Sequence, residues 1–266
     1  MPDTWAPLAD RFFEYYESVQ GHVRTHLIDH NLRNHLPPPP ADLVDVGGGA
    51  GHQALPLARD GYRITIVEPS EEMLRRASDL LAAEPTEVRK RVTLVRADGE
   101  NAVSAVEGRR FAGVMCHAVL QYIEDPSVLL SALAELAEDG GIVSLVVKNQ
   151  SALVMPPALA GRWSEALSAF DRTQNTCGLG VATRADTVEE LGRWLAQREV
   201  RTSAWYGVGF FTDWWSSFNA PAVEPGEDLL SVELEASRRD PYRQLGRMFH
   251  LIGVRGDGDR ATSIPS

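Results

Sequence analysis

An acid, a cluster of glycines and a second acid form the chemical centre of this sequence. Leu43-Val44-Asp45-Val46 runs into Gly47-Gly48-Gly49-Ala50-Gly51-His52, and Gln53-Ala54-Leu55-Pro56-Leu57-Ala58-Arg59 then takes up a helical pattern. That order predicts a strand, a tight turn and a helix start. Glycine in such a turn reaches positive φ without a Cβ penalty and lets a ligand approach the backbone, while the first turn of the helix offers unpaired N–H groups. The chemistry suggested is the holding of a nucleotide-like cofactor. A glycine-rich turn with no ligand is the competing reading, since a lone glycine motif is weak. Glu68 separates the two: it ends the second apolar run, Tyr62–Val67, which puts a carboxylate at the tip of the neighbouring strand, where it can bond both ribose hydroxyls of a nucleoside.

Three further stretches carry candidate groups. His117 follows Gly113-Val114-Met115-Cys116, and a histidine at the carboxyl end of a central strand faces the ligand crevice of an open α/β sheet. Its competitor is a satisfied structural histidine. Arg24 lies amid apolar positions of an N-terminal helical run. Near the end, Tyr242, Arg243, Arg247 and His250 collect in one segment, and arginines suit a carboxylate through bidentate contact. A solvated helix face is the alternative for these arginines, less so for Arg247, which opens a strand.

The elements that must position these groups alternate. Residues 10–36 read as helix, with Phe12, Phe13, Tyr16, Val19, Val23, Leu27 and Leu32 near helical spacing and Gly21 as an expected break or kink. Pro37–Pro40 is a stiff link into the first strand. Ser70 is expected to cap a helix through Leu81, with Glu71 and Glu72 in its first turn. Residues 91–96 form a third strand, Asp125-Pro126 starts a helix through Leu136, and Asp139-Gly140-Gly141 turns into a strand over Ile142–Val147. Strands alternating with helices indicate a parallel sheet. The alternation stops after Lys148-Asn149-Gln150; residues 151–185 read as an inserted cap, a helix follows over 186–197, and Val200–Tyr206 and Met248–Val254 are the last strands. The expectation is a single domain over 1–255, with an N-terminal helical lid over 1–36 and a disordered tail over 256–266.

The chain has 266 residues and a formal net charge of −11. That charge argues against a broad nucleic-acid surface, because phosphate binding rests on Lys and Arg. No apolar run is long enough to span a membrane, and no signal peptide is visible at the N-terminus. The two cysteines, Cys116 and Cys177, do not make a disulfide framework, and a cytoplasmic setting is expected. No close Cys/His cluster suggests a metal.

Gly47, Gly49 and Gly51 alternate after Asp45. This spacing resembles motif I of class I S-adenosylmethionine-dependent methyltransferases, with Glu68 as the motif II acid, usually an aspartate in the family. The fold implied is α/β: a Rossmann-like, mostly parallel sheet whose last strand is antiparallel. The resemblance extends to His117–Tyr122, Asn149 and the Asp240–His250 segment, which together are similar to the bacterial tRNA 5-carboxymethoxyuridine methyltransferases, enzymes that esterify a carboxylate on a wobble uridine. It implies S-adenosyl-L-methionine as cofactor. Arg24 and Gly47–Gly49 would hold its methionine end, Asp45 would suit its ammonium, and Glu68 would hold the ribose. Gly99, with Asp98 or Glu100, would lie beside the adenine, and Pro69, Met73 and His117 would complete the pocket.

A carboxylate acceptor is ionised at neutral pH (reference pKa about 4), so its methylation requires no general base, only alignment and removal of water. Arg247 and Arg243 are the expected carboxylate ligands, with Tyr242 and His250 beside them. Two acceptors stand open. A tRNA carboxylate predicts a positive patch around Arg238–Arg247, yet Asp171–Gly180 lacks the lysines that a tRNA enzyme carries there. A small acid or secondary metabolite predicts an apolar cap of Trp163, Phe170, Phe210 and Trp214. Outside this class, a non-catalytic binding module would have Glu68 or the Gly47–Gly51 turn blocked, and the glycine spacing counts against an NAD-dependent dehydrogenase.

Overall fold

The computed structural model describes residues 5–177, 180–215 and 226–256. The expectations for residues 1–4 of the lid, for Gly178-Leu179 in the cap and for 257–266 of the tail lie outside these described residues.

In chain order the strands are β1 (Asp42–Val46), β2 (Arg63–Val67), β3 (Val92–Val95), β4 (Phe111–His117), β5 (Ala137–Lys148), β6 (Gln174–Thr176), β7 (Ala182–Arg184), β8 (Val200–Val208) and β9 (Met248–Arg255). Seven form one sheet in the order β3-β2-β1-β4-β5-β9-β8, and β6–β7 is a separate hairpin. The pairs β1–β2, β1–β4, β2–β3 and β4–β5 are parallel. β9 runs antiparallel to both neighbours, β5 and β8, as expected of the last strand. Because β1 leads to β2 and β3 on one side and β4 and β5 lie on the other, the order reverses between β1 and β4. Open α/β sheets bind ligands in the crevice outside the carboxyl ends of the strands at such a point.

Both faces of the sheet are covered, so the central strands are apolar runs rather than alternating ones. One face packs Val44, Val114, Leu133, Phe249 and Leu251; the other packs Leu43, Ile64, Ile66, Met115 and Ile252. β5 begins earlier than its apolar run: Gly140 sits at φ +79 within it, and the β4–β5 register shifts between Phe111 and Gly113.

The N-terminal segment is two helices, α1 (Ala9–Glu17) and α2 (Val19–Arg33). The break falls at Ser18, not at Gly21 as expected. Ser18 is extended (φ −75, ψ 160) and its side-chain oxygen accepts the Gly21 N–H, an N-cap for α2. Gly21 serves the helix crossing instead, since a Cβ there would lie 2.0 Å from the Tyr15 carbonyl oxygen. Helix α3 (Ala54–Arg59) follows the glycine turn, and α4 (Glu71–Ala82) is capped by Ser70, whose Oγ accepts the Met73 N–H at 3.3 Å. Asp125 Oδ1 accepts the Ser127 N–H at 3.0 Å and opens the helix Ser127–Leu136. The cap region holds helices Met155–Leu159 and Trp163–Ala169 before the β6–β7 hairpin. It returns to the sheet where Asp186 N donates to Lys148 O. Among the described residues no helix is long and apolar enough to cross a membrane.

Candidate active site

Each parallel strand delivers one group to the same end of the sheet. Gly47 leaves β1, Glu68 leaves β2, Asp98 follows β3, His117 ends β4 and Lys148 ends β5; Arg247 stands just before antiparallel β9. All six line one cleft of about 670 Å³, within the size range of small-molecule sites.

The glycine turn is the floor of the cleft. Gly47, Gly49 and Gly51 take φ of 73, 55 and 84, and a Cβ on Gly47 would also meet Val119 Cγ2 at 2.4 Å. Glu68 binds the turn from the side: Oε2 accepts Gly49 N–H at 2.9 Å and Oε1 accepts Ser70 N–H at 3.0 Å. A carboxylate oxygen can accept more than one hydrogen bond, which suits a pair of vicinal hydroxyls. Gly48, Gly49, Pro69, Met73, Asp98, Gly99 and Glu100 also line the cleft. The structure thus brings both candidate adenine-side acids, Asp98 and Glu100, into the lining of the cleft.

Asp45 is placed differently from the expectation. It is 2 % exposed and does not line the cleft; it lies under the turn, where a Cβ on Gly48 would be 2.7 Å from its Oδ2. That oxygen has no hydrogen-bond partner. Burial, and then the charge of Glu68, push its carboxyl up to about 7. A buried carboxylate without a partner is costly, and an ammonium above the turn would relieve that cost.

α1 roofs the cleft. Tyr16 stacks on His52 with ring centroids 3.9 Å apart and planes 3° apart, and Phe13 meets the same imidazole edge-on at 5.1 Å. Trp5 meets Tyr122 edge-on at 4.7 Å, and Trp5, Phe12, Tyr15, Tyr16 and Tyr122 all line the cleft. Arg24 reaches the cleft from α2 with its guanidinium 5.7 Å from the Tyr15 ring centre.

His117 is tied into the sheet. Its Nε2 is 2.8 Å from Ser144 Oγ, which is 2.8 Å from His250 Nε2. Ser144 has one O–H, so it donates to one imidazole and accepts from the other. Burial, then the neighbouring His250 and Arg24, hold His117 far below the usual imidazole range, and burial, then His35, push His250 down to about 3. Both rings are therefore neutral near pH 7, and His117 is a hydrogen-bonding group rather than a cation.

The expected acceptor ligands separate. Arg247 lines the cleft, with Nη1 3.4 Å from Asp213 Oδ1. Arg243, Tyr242 and His250 do not line it. The one-turn helix Tyr242–Leu245 sends Arg243 back over the Trp205 ring at 4.1 Å and onto Asp240 at 2.7 Å. Tyr242 is half exposed against Phe210, and His250 is fully buried behind Ser144. The expected positive patch is neutralised, since Arg238 and Arg239 both pair with Glu235. The expected aromatic cap is absent from the cleft wall: Trp163 and Phe170 are exposed, and Trp214 Nε1 donates to Leu245 O.

Sequence reasoning missed Lys148, Cys177 and Asp213, all of which line the cleft. A charged residue closing the apolar run Ile142–Val147 was the available signal for Lys148. Asp213 gave none, since it lies in a turn rich in Trp and Phe.

The profile of a methyltransferase-domain family matches residues 19–217 of the chain. The tRNA 5-carboxymethoxyuridine methyltransferase of Escherichia coli (strain K12) is 25 % identical over 248 residues, covering 92 % of this chain and 93 % of that protein. Among solved structures, the CcbJ methyltransferase from Streptomyces caelestis superposes with a TM-score of 0.63 at 14 % identity, covering 94 % and 96 % of the two chains. The glycopeptide N-methyltransferase MtfA complexed with S-adenosyl-L-methionine gives 0.56 at 14 % identity, covering 87 % and 94 %. Those two likenesses show the fold alone, but the family match spans most of the chain, including the glycine turn, Glu68 and His117. The chain belongs to the methyltransferase-domain family and is an S-adenosylmethionine-dependent methyltransferase.

Proposed function

We propose that the enzyme methylates a carboxylate oxygen, forming a methyl ester, with the 5-carboxymethoxy group of a tRNA wobble uridine as acceptor. The observation that carries this reading is Arg247 in the wall of the cleft that Glu68 also lines. The nearly full-length similarity to a tRNA 5-carboxymethoxyuridine methyltransferase supports the acceptor class.

In this reading Glu68 would hold the ribose hydroxyls, Arg24 the methionine carboxylate, and Gly47–Gly49 with Asp45 the ammonium. Pro69, Met73, Gly99 and the Asp98 or Glu100 carboxylate would hold the base. When bound, S-adenosylmethionine supplies a methyl on a sulfonium, the electrophile of an in-line displacement. Arg247 orients the acceptor carboxylate, α1 excludes water, and neutral His117, fixed by Ser144 and His250, hydrogen-bonds without adding charge. No base is needed. His250 acts through His117, and Arg243 and Tyr242 act in packing.

A small carboxylic acid is the second reading. The pairing of Arg238, Arg239 and Arg243 with acids and the net charge of −11 favour it. Incubation with methyl-labelled S-adenosylmethionine and tRNA carrying carboxymethoxyuridine tests the two. Base-labile label in the RNA is the expected result. Label that is never found in RNA but appears as a methyl ester of a small acid would move the assignment to the second reading. Base-stable label would overturn ester formation itself.

A further inference from the structure

The chain contains two lysines, Lys90 and Lys148. Lys90 is a surface residue paired with Glu87 at 3.1 Å. Lys148 is buried, 8 % exposed, and lines the cleft. Its ammonium donates to Asn175 Oδ1 at 2.6 Å and to Thr183 Oγ1, which reach it from β6 and β7. Both partners are neutral oxygens, and among the described residues Lys148 has no carboxylate within ion-pair distance. An ammonium has three donors, so one is left over.

The surroundings sharpen the point. Lys148 pairs with Met248 across β5–β9, so Arg247 is its neighbour along the cleft wall. Burial, reinforced by the Arg247 charge, pushes Lys148 down to about 8. Two cations therefore face one end of the cleft, and Asp213, an acid that also lines it, bonds Arg247. Partly buried positive charge without a counter-ion is unfavourable. Glu68 lies three strands away, about 14 Å at the usual strand spacing, so this end is remote from the acid assigned to the ribose.

We propose that Lys148 and Arg247 form an anion-binding pair that takes the acceptor's carboxylate, and that the β6–β7 hairpin sets this specificity by holding the ammonium in place. The inference rests on the carboxylate reading of the previous subsection. With one oxygen held by Lys148 and the group oriented by Arg247, the second oxygen forms the new bond to methyl carbon. The sulfur–methyl bond breaks with its electron pair going to sulfur, and no proton moves. The ester has lost the negative charge, so the pair also favours release of product over substrate.

Having only two lysines makes the test direct. Protein labelled with 13C at lysine Cε gives two signals, and Lys90 is the internal reference. With S-adenosylhomocysteine bound, phenoxyacetate is titrated against its neutral isostere phenoxyacetamide. Phenoxyacetate is expected to shift the Lys148 signal and raise its titration midpoint, and the amide to do neither. Lys148→Met should weaken phenoxyacetate at least about tenfold while S-adenosylhomocysteine affinity is retained. An unmoved Lys148 signal, an equal response to the amide, or unchanged phenoxyacetate affinity in Lys148→Met would overturn the proposal. A selective anion response without any methyl ester product would instead overturn the carboxylate methylation reading and leave the anion site standing.

Discussion

Glu68 Oε2 accepts the Gly49 N–H at 2.9 Å, so the acid at the tip of β2 and the turn at the tip of β1 form one rigid unit. The parallel register that pairs Val46 with Val67 puts the two tips level, and the Gly47 N–H, donating to Val67 O at 2.7 Å, ties them a second time. Anything that shifts the turn shifts Glu68 as well. Gly47→Ala should do this, because it adds a Cβ at φ +73 and 2.4 Å from Val119 Cγ2. The expected cost is about 1–3 kcal/mol in stability, with loss of S-adenosylhomocysteine binding, read by thermal melts with and without ligand.

Asp45 gives a pH signature. Its folded carboxyl holds a proton up to about 7, whereas an unfolded aspartate releases it near 4. Between these values the folded state binds more protons, so this group's stabilisation falls as pH rises and is lost above 7. Asp45→Asn removes that decline. Without cofactor, the variant should be more stable than the parent by about 1–3 kcal/mol at pH 8, with the gap closing toward pH 4. An equal gap at both pH values would contradict the burial assigned to Asp45.

The crossing of α1 over α2 depends on Gly21. A Cβ there collides with the Tyr15 carbonyl, so Gly21→Ala should push α1 away from α2 and disturb the stacking of Tyr16 on His52. Because that contact roofs the cleft, the variant should bind S-adenosylhomocysteine about tenfold or more weakly. The sheet core should keep its protection, and hydrogen exchange localised to α1 would show the difference. Protection lost evenly across the sheet would count against a lid.

Arg247 and Arg243 separate cleanly. Arg247→Ala should lower methyl transfer by about 10- to 100-fold with S-adenosylhomocysteine affinity retained. Arg243→Ala, losing only the Trp205 stacking and the Asp240 pair, should transfer methyl near the parent rate. Turnover and cofactor titration on both variants decide it.

How far the sequence shows this site follows from where its information is local. The turn and Glu68 are legible because an apolar run, glycines that need positive φ and an acid at a strand end all sit within a few residues. Ser18 was hidden by Gly21: glycine is the usual helix breaker, yet the capping hydroxyl three residues earlier ends the helix. Arg243 and Arg247 look alike in sequence, and only the turn Tyr242–Leu245 sends one to Trp205 and the other to the cleft. Lys148 takes its meaning from Asn175 and Thr183, partners 27 and 35 residues away.

The measurement that tests the site most directly is calorimetric titration of S-adenosylhomocysteine into the parent protein, Glu68→Gln and Glu68→Ala. Two charge-assisted bonds to the ribose are at stake, so Glu68→Ala should weaken binding by about 30-fold or more, and Glu68→Gln by less. Affinity within about twofold of the parent, in a Glu68→Ala protein with an unchanged melting profile, would contradict the account.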